Sequence, residues 1–172
     1  MSRYDELAVK AVDWSRRYYH HYEASQIFAR DIALAWQTYL RPPIGRIKHF
    51  ELDADLNSTN RTSDLGSLPK LMLGKDGRHH GGYSLLYRVD SDNHFLTERF
   101  ELGIGKLGDA WEIVWNDQTF KVANPTEEEL TPLFEALTAE SLQRFQGSPT
   151  GPSTKPIGFL PHKYKPTPDA ES

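Results

Sequence analysis

The spacing of apolar residues changes abruptly after the first quarter of the chain. Residues 4–40 contain no glycine or proline, and their apolar side chains recur every three or four positions, as on one face of an α-helix. Pro42 and Pro43 end this segment, because proline lacks a backbone donor and disfavours helical geometry in the residue before it. Beyond them the spacing becomes two, which is typical of a β-strand. The sequence therefore predicts a helical N-terminal region followed by a sheet.

The N-terminal region is predicted to be either one long helix or a helical hairpin. A single helix of about 36 residues would be ~54 Å long, which exceeds the width of a typical domain of this size. A break near Ala24 and Ser25 would shorten it, and both forms stay open. The helical stripe comprises Leu7, Ala11, Trp14, Tyr18, Tyr22, Ser25, Ala29, Ile32, Trp36 and Leu40.

The segment 50–122 is predicted to form an antiparallel meander of five or six strands. The first strand is placed at residues 50–56, and the polar stretch 57–67 is interpreted as a loop. The loops between later strands span only a few residues, whereas a parallel crossover needs a dozen or more. Further strands are predicted at 70–73, 83–89, 96–104, 111–115 and 120–122, with a turn at 90–93. Glu98 is an exception on the apolar face of the strand at 96–104.

A second helix is predicted to close the domain. Thr126 and Glu129 form a capping-box pattern, an apolar stripe follows, and Gly147 is a suitable C-terminal stop, although Pro132 implies a kink or a separate first turn. We therefore predict one α+β domain over residues 1–147, whose helices cover one face of the sheet. Residues 148–172 are predicted to be a proline-rich tail without regular structure, either flexible or docked in extended form.

Composition excludes several classes of function. The net charge of -4 provides no overall positive field that would attract nucleic acid or anionic lipid. The absence of cysteine excludes disulfides, thiolate metal sites and cysteine nucleophiles. Charged residues near the N-terminus and the lack of any long apolar run predict a cytoplasmic protein that does not insert into a membrane.

Two patterns in the predicted sheet resemble binding motifs. His49, Glu51 and Asp53 alternate with apolar residues and are expected on the wet face of the first strand, where they are candidates for contact with a ligand or partner. Residues 103–108 match G-x-G-x-x-G, the glycine pattern of dinucleotide sites. Such a site needs a helix after the glycines, whereas residues 111–115 are predicted to be a strand. We interpret the glycines as part of a hairpin and predict no cofactor or metal.

Two clusters of basic and aromatic residues are further candidates for binding. Arg78, His79 and His80 lie beside a turn, where functional side chains are often displayed. Because adjacent strand residues point to opposite faces, the two histidines are unsuited to holding one metal ion together. Arg16 and Arg17 lie among tyrosines and histidines on the N-terminal helix, a mixture that single-stranded nucleic acid binders use.

The leading functional hypothesis is a non-catalytic module that binds another macromolecule, such as an adaptor, inhibitor or immunity-type protein. No catalytic motif is present in its required structural context, which favours a non-enzyme without deciding the point. The expected partner is a protein, and a homodimer through the N-terminal helix is one form of this hypothesis. The alternatives are a small enzyme or ligand-binding domain, with a pocket between the sheet and the N-terminal helices and with His49, Glu51, His79 or His80 at its mouth, and nucleic-acid binding through the N-terminal helix.

Overall fold

The computed structural model describes residues 2–89, 94–146 and, for the backbone alone, 160–163. Two helices and eight strands form the fold. In chain order they are α1 Arg3–Leu40, β1 Ile47–Leu52, β2 Ser58–Ser63, β3 Met72–Leu73, β4 His79–Arg88, β5 His94–Leu107, β6 Ala110–Trp115, β7 Gln118–Val122, α2 Glu127–Gln146 and β8 Leu160–Lys163.

Helix α1 is a single helix of 38 residues, so the hairpin alternative does not occur. It starts at a capping box in which the Ser2 backbone N–H donates to the Asp5 carboxylate at 2.8 Å and the Asp5 N–H donates to the Ser2 hydroxyl at 3.2 Å. It ends at Arg41, which has a left-handed backbone conformation with φ 50°. At 1.5 Å per residue the helix is about 57 Å long. No glycine or proline interrupts it, and at Ser25 the side-chain hydroxyl donates to the carbonyl of His21.

The eight strands form one antiparallel sheet. The main path runs β2-β1-β4-β5-β6-β7, while β3 pairs with β4 and β8 pairs with β5. Strands β4 and β5 pair over ten residues, from His79 opposite Ile104 to Arg88 opposite Phe95. The predicted α+β class and antiparallel sheet are confirmed, with more strands than expected.

Two sequence-based boundaries are wrong. The first strand ends at Leu52, because the Asp53 side chain accepts hydrogen bonds from the Asp55 and Asn57 N–H groups and holds a turn there. The stretch predicted as a loop contains strand β2, which is entirely polar. Of the two alternatives for Pro132, the separate first turn does not occur, because helix α2 continues through this residue.

The predicted proline-rich tail, residues 148–172, and the predicted turn at 90–93 lie outside the described residues, except for β8. Strand β8 lies within the predicted tail and pairs with β5, and the prediction of a flexible or extended, docked tail stays a prediction. A strand that pairs on one side tolerates proline, since an unpaired edge needs no backbone donor. The division at residue 147 stays a prediction.

Both helices pack against the same face of the sheet. The C-terminal half of α1 buries Phe28, Ile32 and Trp36 there, and the indole of Trp36 lies 5.1 Å from the ring of Phe100 on β5. Helix α2 buries Leu130, Leu133, Phe134 and Leu137 beside it. The hydrophobic core therefore lies between the sheet and the second half of α1.

Candidate functional site

The N-terminal half of α1 extends away from this core. The first buried residue of the helix is Ser25, more than twenty residues after its start. The apolar stripe that packs on the sheet continues into this exposed half as Tyr4, Leu7, Ala11, Trp14 and Tyr18. We call residues 3–18 the arm and these five side chains the arm face. Tyr4 is 78%, Leu7 69% and Trp14 62% exposed, so large apolar side chains that usually occupy cores are in water here.

Two aromatic residues of the arm face stack at the base of the arm. The rings of Trp14 and Tyr18 are 5.5 Å apart and nearly parallel, and Tyr18 stacks on Tyr22 at 6.4 Å. These contacts join residues four positions apart, which lie above one another on a helix surface. Trp14 and Tyr18 therefore form an ordered row of rings with Tyr22.

The rest of the arm surface is mainly polar and of mixed charge, although Val9 and Val12 are exposed there as well. Arg16 and Arg17 are exposed there, and Arg17 pairs with Asp13 at 3.6 Å. The arm holds four basic residues, namely Arg3, Lys10, Arg16 and Arg17, against the acidic Asp5, Glu6 and Asp13. This near balance offers little counterion release, which is the main source of affinity for nucleic acid.

His79 connects the base of the arm to the sheet. It is 1% exposed, and its ring lies 5.3 Å from both His21 and Tyr22 of α1. The Ser25 hydroxyl donates to a backbone carbonyl, so the His79 Nδ1–H donates to Ser25 Oγ at 3.0 Å. Burial lowers the pKa of His79, and the neighbouring His21 and His80 lower it further. The predicted display of this side chain beside a turn is wrong, because α1 covers it.

His49 is also buried rather than on a wet face. It is 2% exposed, packs against Tyr83 at 5.3 Å, and has no hydrogen-bond partner for either ring nitrogen in the described part of the chain. Burial lowers its pKa to about 4. Tyr83, its neighbour on β4, donates to the Ala29 carbonyl of α1, so His49 faces the helices. Phe50 faces the opposite way and is also buried, so the prediction that His49 lies on a wet face of this strand is wrong.

Glu51 and Asp53 have structural partners. The carboxylate of Glu51 lies 3.8 Å from the Arg61 guanidinium and 3.6 Å from the Lys70 amine, and Asp53 holds the turn after β1. The structure does not bring them together with His49. Whether any of these residues contacts a ligand or partner stays a prediction.

His80 and Arg78 belong to an ion-pair cluster on the sheet face opposite the helices. His80 lies between two carboxylates, Glu101 at 2.9 Å from Nδ1 and Asp76 at 3.0 Å from Nε2. The Glu101 hydrogen bond raises the pKa of His80, and Asp76 adds to this effect. Arg78 lies 3.4 Å from both Asp76 and Glu112. The cluster largely neutralises itself, and the described residues contain no group suited to holding a metal ion.

Two glycines of the G-x-G-x-x-G pattern make room for this cluster. A Cβ on Gly103 would lie 3.1 Å from the His80 ring, and one on Gly105 would lie 3.3 Å from the Arg78 side chain. Both lie within strand β5, so only Gly108, with φ +62°, has the turn conformation that we expected of a hairpin glycine. The first two glycines of the G-x-G-x-x-G pattern therefore have a packing role, on the sheet face opposite the helices.

A cavity of about 660 Å³ opens where α1 ends, between the C-terminal part of α2 and the end of β4. The residues that line it are Trp36, Leu40, Pro42, Pro43, Arg46, Leu85, Leu86, Tyr87, Arg88, Thr138, Ser141, Leu142 and Phe145. None of His49, Glu51, His79 or His80 is among them, so the residues predicted at the mouth of a pocket are wrong for this cavity.

Beside the cavity lies a buried carboxylate that the sequence marked only as an exception on an apolar strand face. Glu98 is 1% exposed, accepts a hydrogen bond from the Tyr87 hydroxyl at 2.8 Å, and pairs with Arg144 at 3.2 Å. Burial raises the pKa of Glu98, while Tyr87, Ser141 and Arg144 oppose that effect. These contacts tie α2 to the sheet.

No family model, curated protein or solved structure matches this chain. None of the helices that the structure describes is long and apolar enough to cross a membrane. The fold and surface thus define the class as an α+β protein with a projecting amphipathic arm.

Proposed function

We propose that this chain is a non-catalytic, protein-binding module whose interaction surface is the arm face, and that a second copy of the chain covers it. The observation that carries the proposal is the continuity of one apolar stripe along α1. Its second half is buried against the sheet, and its first half is exposed from Tyr4 to Trp14 and half-buried at Tyr18. Exposed apolar stripes of this size mark surfaces that a partner covers.

The spacing of the arm face suits pairing with another helix. Tyr4, Leu7, Ala11, Trp14 and Tyr18 alternate in steps of three and four, which is the a and d pattern of a coiled coil. The same spacing on both members of a pair lets each side chain insert between those of the other helix. A second copy of the chain has the same spacing, because its sequence is identical.

A partner on the arm face has to leave room for the sheet. From Ser25 onward the same stripe of α1 is covered by the sheet, so a partner helix that ran parallel along the whole of α1 would enter the space of the sheet. An antiparallel or steeply crossed pair places the second half of the partner's helix away from this sheet. The second copy therefore lies antiparallel to the arm or across it.

The test is size-exclusion chromatography with light scattering over a range of concentrations. The wild-type chain is expected to form a dimer that dissociates on dilution. Trp14→Asp, on the arm face, should weaken dimerisation roughly 30-fold or more, because it places a charge at the centre of the apolar contact.

The matched control is Val9→Asp. Val9 is 60% exposed, almost as much as Trp14, but lies on the opposite side of the helix. This variant should dimerise like the wild type. A wild-type chain that stays monomeric at every concentration, or a Val9→Asp variant as defective as Trp14→Asp, would contradict the proposal.

A further inference from the structure

Arg99 lies on the face of the sheet opposite the helices. Its neighbour on β5, Phe100, packs on Trp36 of α1, so Arg99, one position away in the strand, points to the other side. There the Arg99 guanidinium stacks 5.1 Å from the ring centroid of Phe50, and its Nη1 donates to the Ser58 hydroxyl on β2 at 2.8 Å. These two contacts hold the guanidinium in place across the sheet.

The Arg99 guanidinium lacks an acidic partner in the described part of the chain. Glu101, two positions along the same face of β5, hydrogen bonds to His80 at 2.9 Å instead. Burial lowers the pKa of Arg99, because the guanidinium has lost part of its water without gaining a counter-charge. A partly buried charge in this state costs free energy, which a bound anion would offset.

The guanidinium and Ser58 still have hydrogen-bond donors to offer. Nε is buried and unpaired, so it adds to the cost of burial but is closed to a ligand. Nη2 has no partner among the described residues either, and unlike Nε it is not enclosed. The Ser58 hydroxyl accepts from Arg99, which leaves its own hydrogen for an acceptor. Because Nη1 and the Ser58 oxygen are 2.8 Å apart, these donors lie side by side.

Strand β1 adds positive charge to the same face. Lys48 is opposite Ser84 of β4, and Ser84 is opposite Arg99, so the three residues form one row across the sheet. Lys48 has no ion pair in the described part of the chain. Neighbouring strands are about 5 Å apart, so its long side chain reaches an anion held by Arg99. Ser84 is small and 2% exposed, and it leaves the space between the two cations open.

We propose that Arg99 and Ser58, with Lys48 beside them, bind a phosphate group, either free or as a phosphomonoester. The planar guanidinium is suited to two phosphate oxygens, Ser58 donates to a third, and Lys48 offsets the remaining charge. Phosphate fits this set of donors better than a carboxylate, because it has more negative charge and more acceptor oxygens. The site lies on the sheet and is separate from the arm face.

NMR titration of the full chain with inorganic phosphate at constant ionic strength tests this assignment. The amide signals of Ser58 and Arg99 should shift saturably, with a dissociation constant below about 5 mM. Acetate at the same ionic strength should bind at least about fivefold more weakly. Glycerol phosphate is measured in parallel: tighter binding than inorganic phosphate identifies a phosphomonoester as the ligand, and equal or weaker binding identifies free phosphate.

Three variants test the individual donors. Arg99→Met has a side chain of similar shape without the charge and should weaken phosphate binding at least about tenfold. Ser58→Ala and Lys48→Met change side chains that are not needed for packing, and each should weaken it about threefold or more. The matched control is Arg61→Met, which removes an exposed guanidinium that pairs with Glu51, and it should bind phosphate like the wild type.

Absence of a saturable shift, or equal affinity for acetate and phosphate, overturns the proposal. Unchanged affinity in Arg99→Met overturns it as well. If Arg99→Met does not fold, unchanged affinity in both Ser58→Ala and Lys48→Met has the same force. Dimerisation through the arm should be unaffected in all of these variants, so failure of this site and failure of the arm pairing are distinguishable.

Discussion

At the scale of single residues, the structure differs most from the sequence pattern where polar side chains are buried. His49, His79 and Glu98 are each no more than 2% exposed. Alternation places residues on two faces but does not say which face a helix will cover, since both faces of β1 carry apolar side chains. His49 thus looked solvent-facing in the sequence, and Glu98 looked like an exception on a dry face.

His49 should make folding stability depend on pH. Its folded pKa of about 4 lies below the ordinary value of 6.5, so at pH below 6.5 the unfolded chain binds a proton that the folded chain does not. Above pH 6.5 His49 does not change the folding stability. As the pH falls from 6.5 towards 4, protonation of His49 in the unfolded chain increasingly destabilises the fold. From the size of the shift, the loss by pH 4 is about 3 kcal/mol.

Urea unfolding of His49→Leu and of the wild type at several pH values measures this effect. The variant should lose less stability than the wild type between pH 7 and pH 4. His20→Leu is the control, because His20 is exposed on α1 just beyond the arm. If His49→Leu and the wild type lose stability equally on acidification, the assigned burial of a neutral imidazole is incorrect.

Gly82 provides a test of close packing on the other side of the sheet. A Cβ at this position would lie 2.5 Å from the ring of Phe50, which is 4% exposed and has little room to move. Gly82→Ala should therefore destabilise the fold by about 1–3 kcal/mol in chemical denaturation. Gly66→Ala, where no atom lies within 4 Å of the new Cβ, should be nearly neutral. Equal stability of the two variants would contradict the packing described here.

At the scale of elements, helices and strands with a strong apolar periodicity could be predicted from the sequence. A polar strand at the edge of the sheet could not. Helix α1 and strands β4 to β7 follow from their apolar spacing and turn residues. Strand β2 was missed because it contains no large apolar residue: it is an edge strand whose backbone pairs with β1 while its side chains stay largely exposed. The length of α1 was also left open, because nothing in a continuous stripe says where the covering sheet stops.

Pro132 should limit the stability of α2. It lies inside the helix and is exposed, so it removes one backbone hydrogen bond without contributing buried surface. Pro132→Ala should stabilise the chain by about 1–3 kcal/mol, measured by urea unfolding. Pro43→Ala, at an exposed position outside both helices, should give no comparable gain. A destabilised Pro132→Ala variant would mean that the proline has a packing role that its exposure does not indicate.

At the scale of the whole molecule, the candidate sites depend on where the chain leaves surface uncovered. The arm face could be predicted as an apolar stripe, but not as exposed, because only the folded sheet shows that its cover ends near Ser25. The cavity could not be predicted, since its wall comes from segments that are distant in sequence, such as Arg46 and Leu142. Most residues proposed from local motifs instead have hydrogen-bond or ion-pair partners within the fold, namely Arg17, Glu51, Asp53, Arg78, His79 and His80.

Cysteine crosslinking tests the central claim most directly, because the chain contains no cysteine of its own. A disulfide requires Cα atoms within about 7 Å of each other, and two paired arms approach most closely at Ala11, the small residue at the centre of the arm face. Under mild oxidation the Ala11→Cys variant should form a covalent dimer rapidly and nearly completely, whereas Val9→Cys, on the far side of the helix, should remain mostly monomeric. If Ala11→Cys crosslinks no faster than Val9→Cys, the arm faces do not pair.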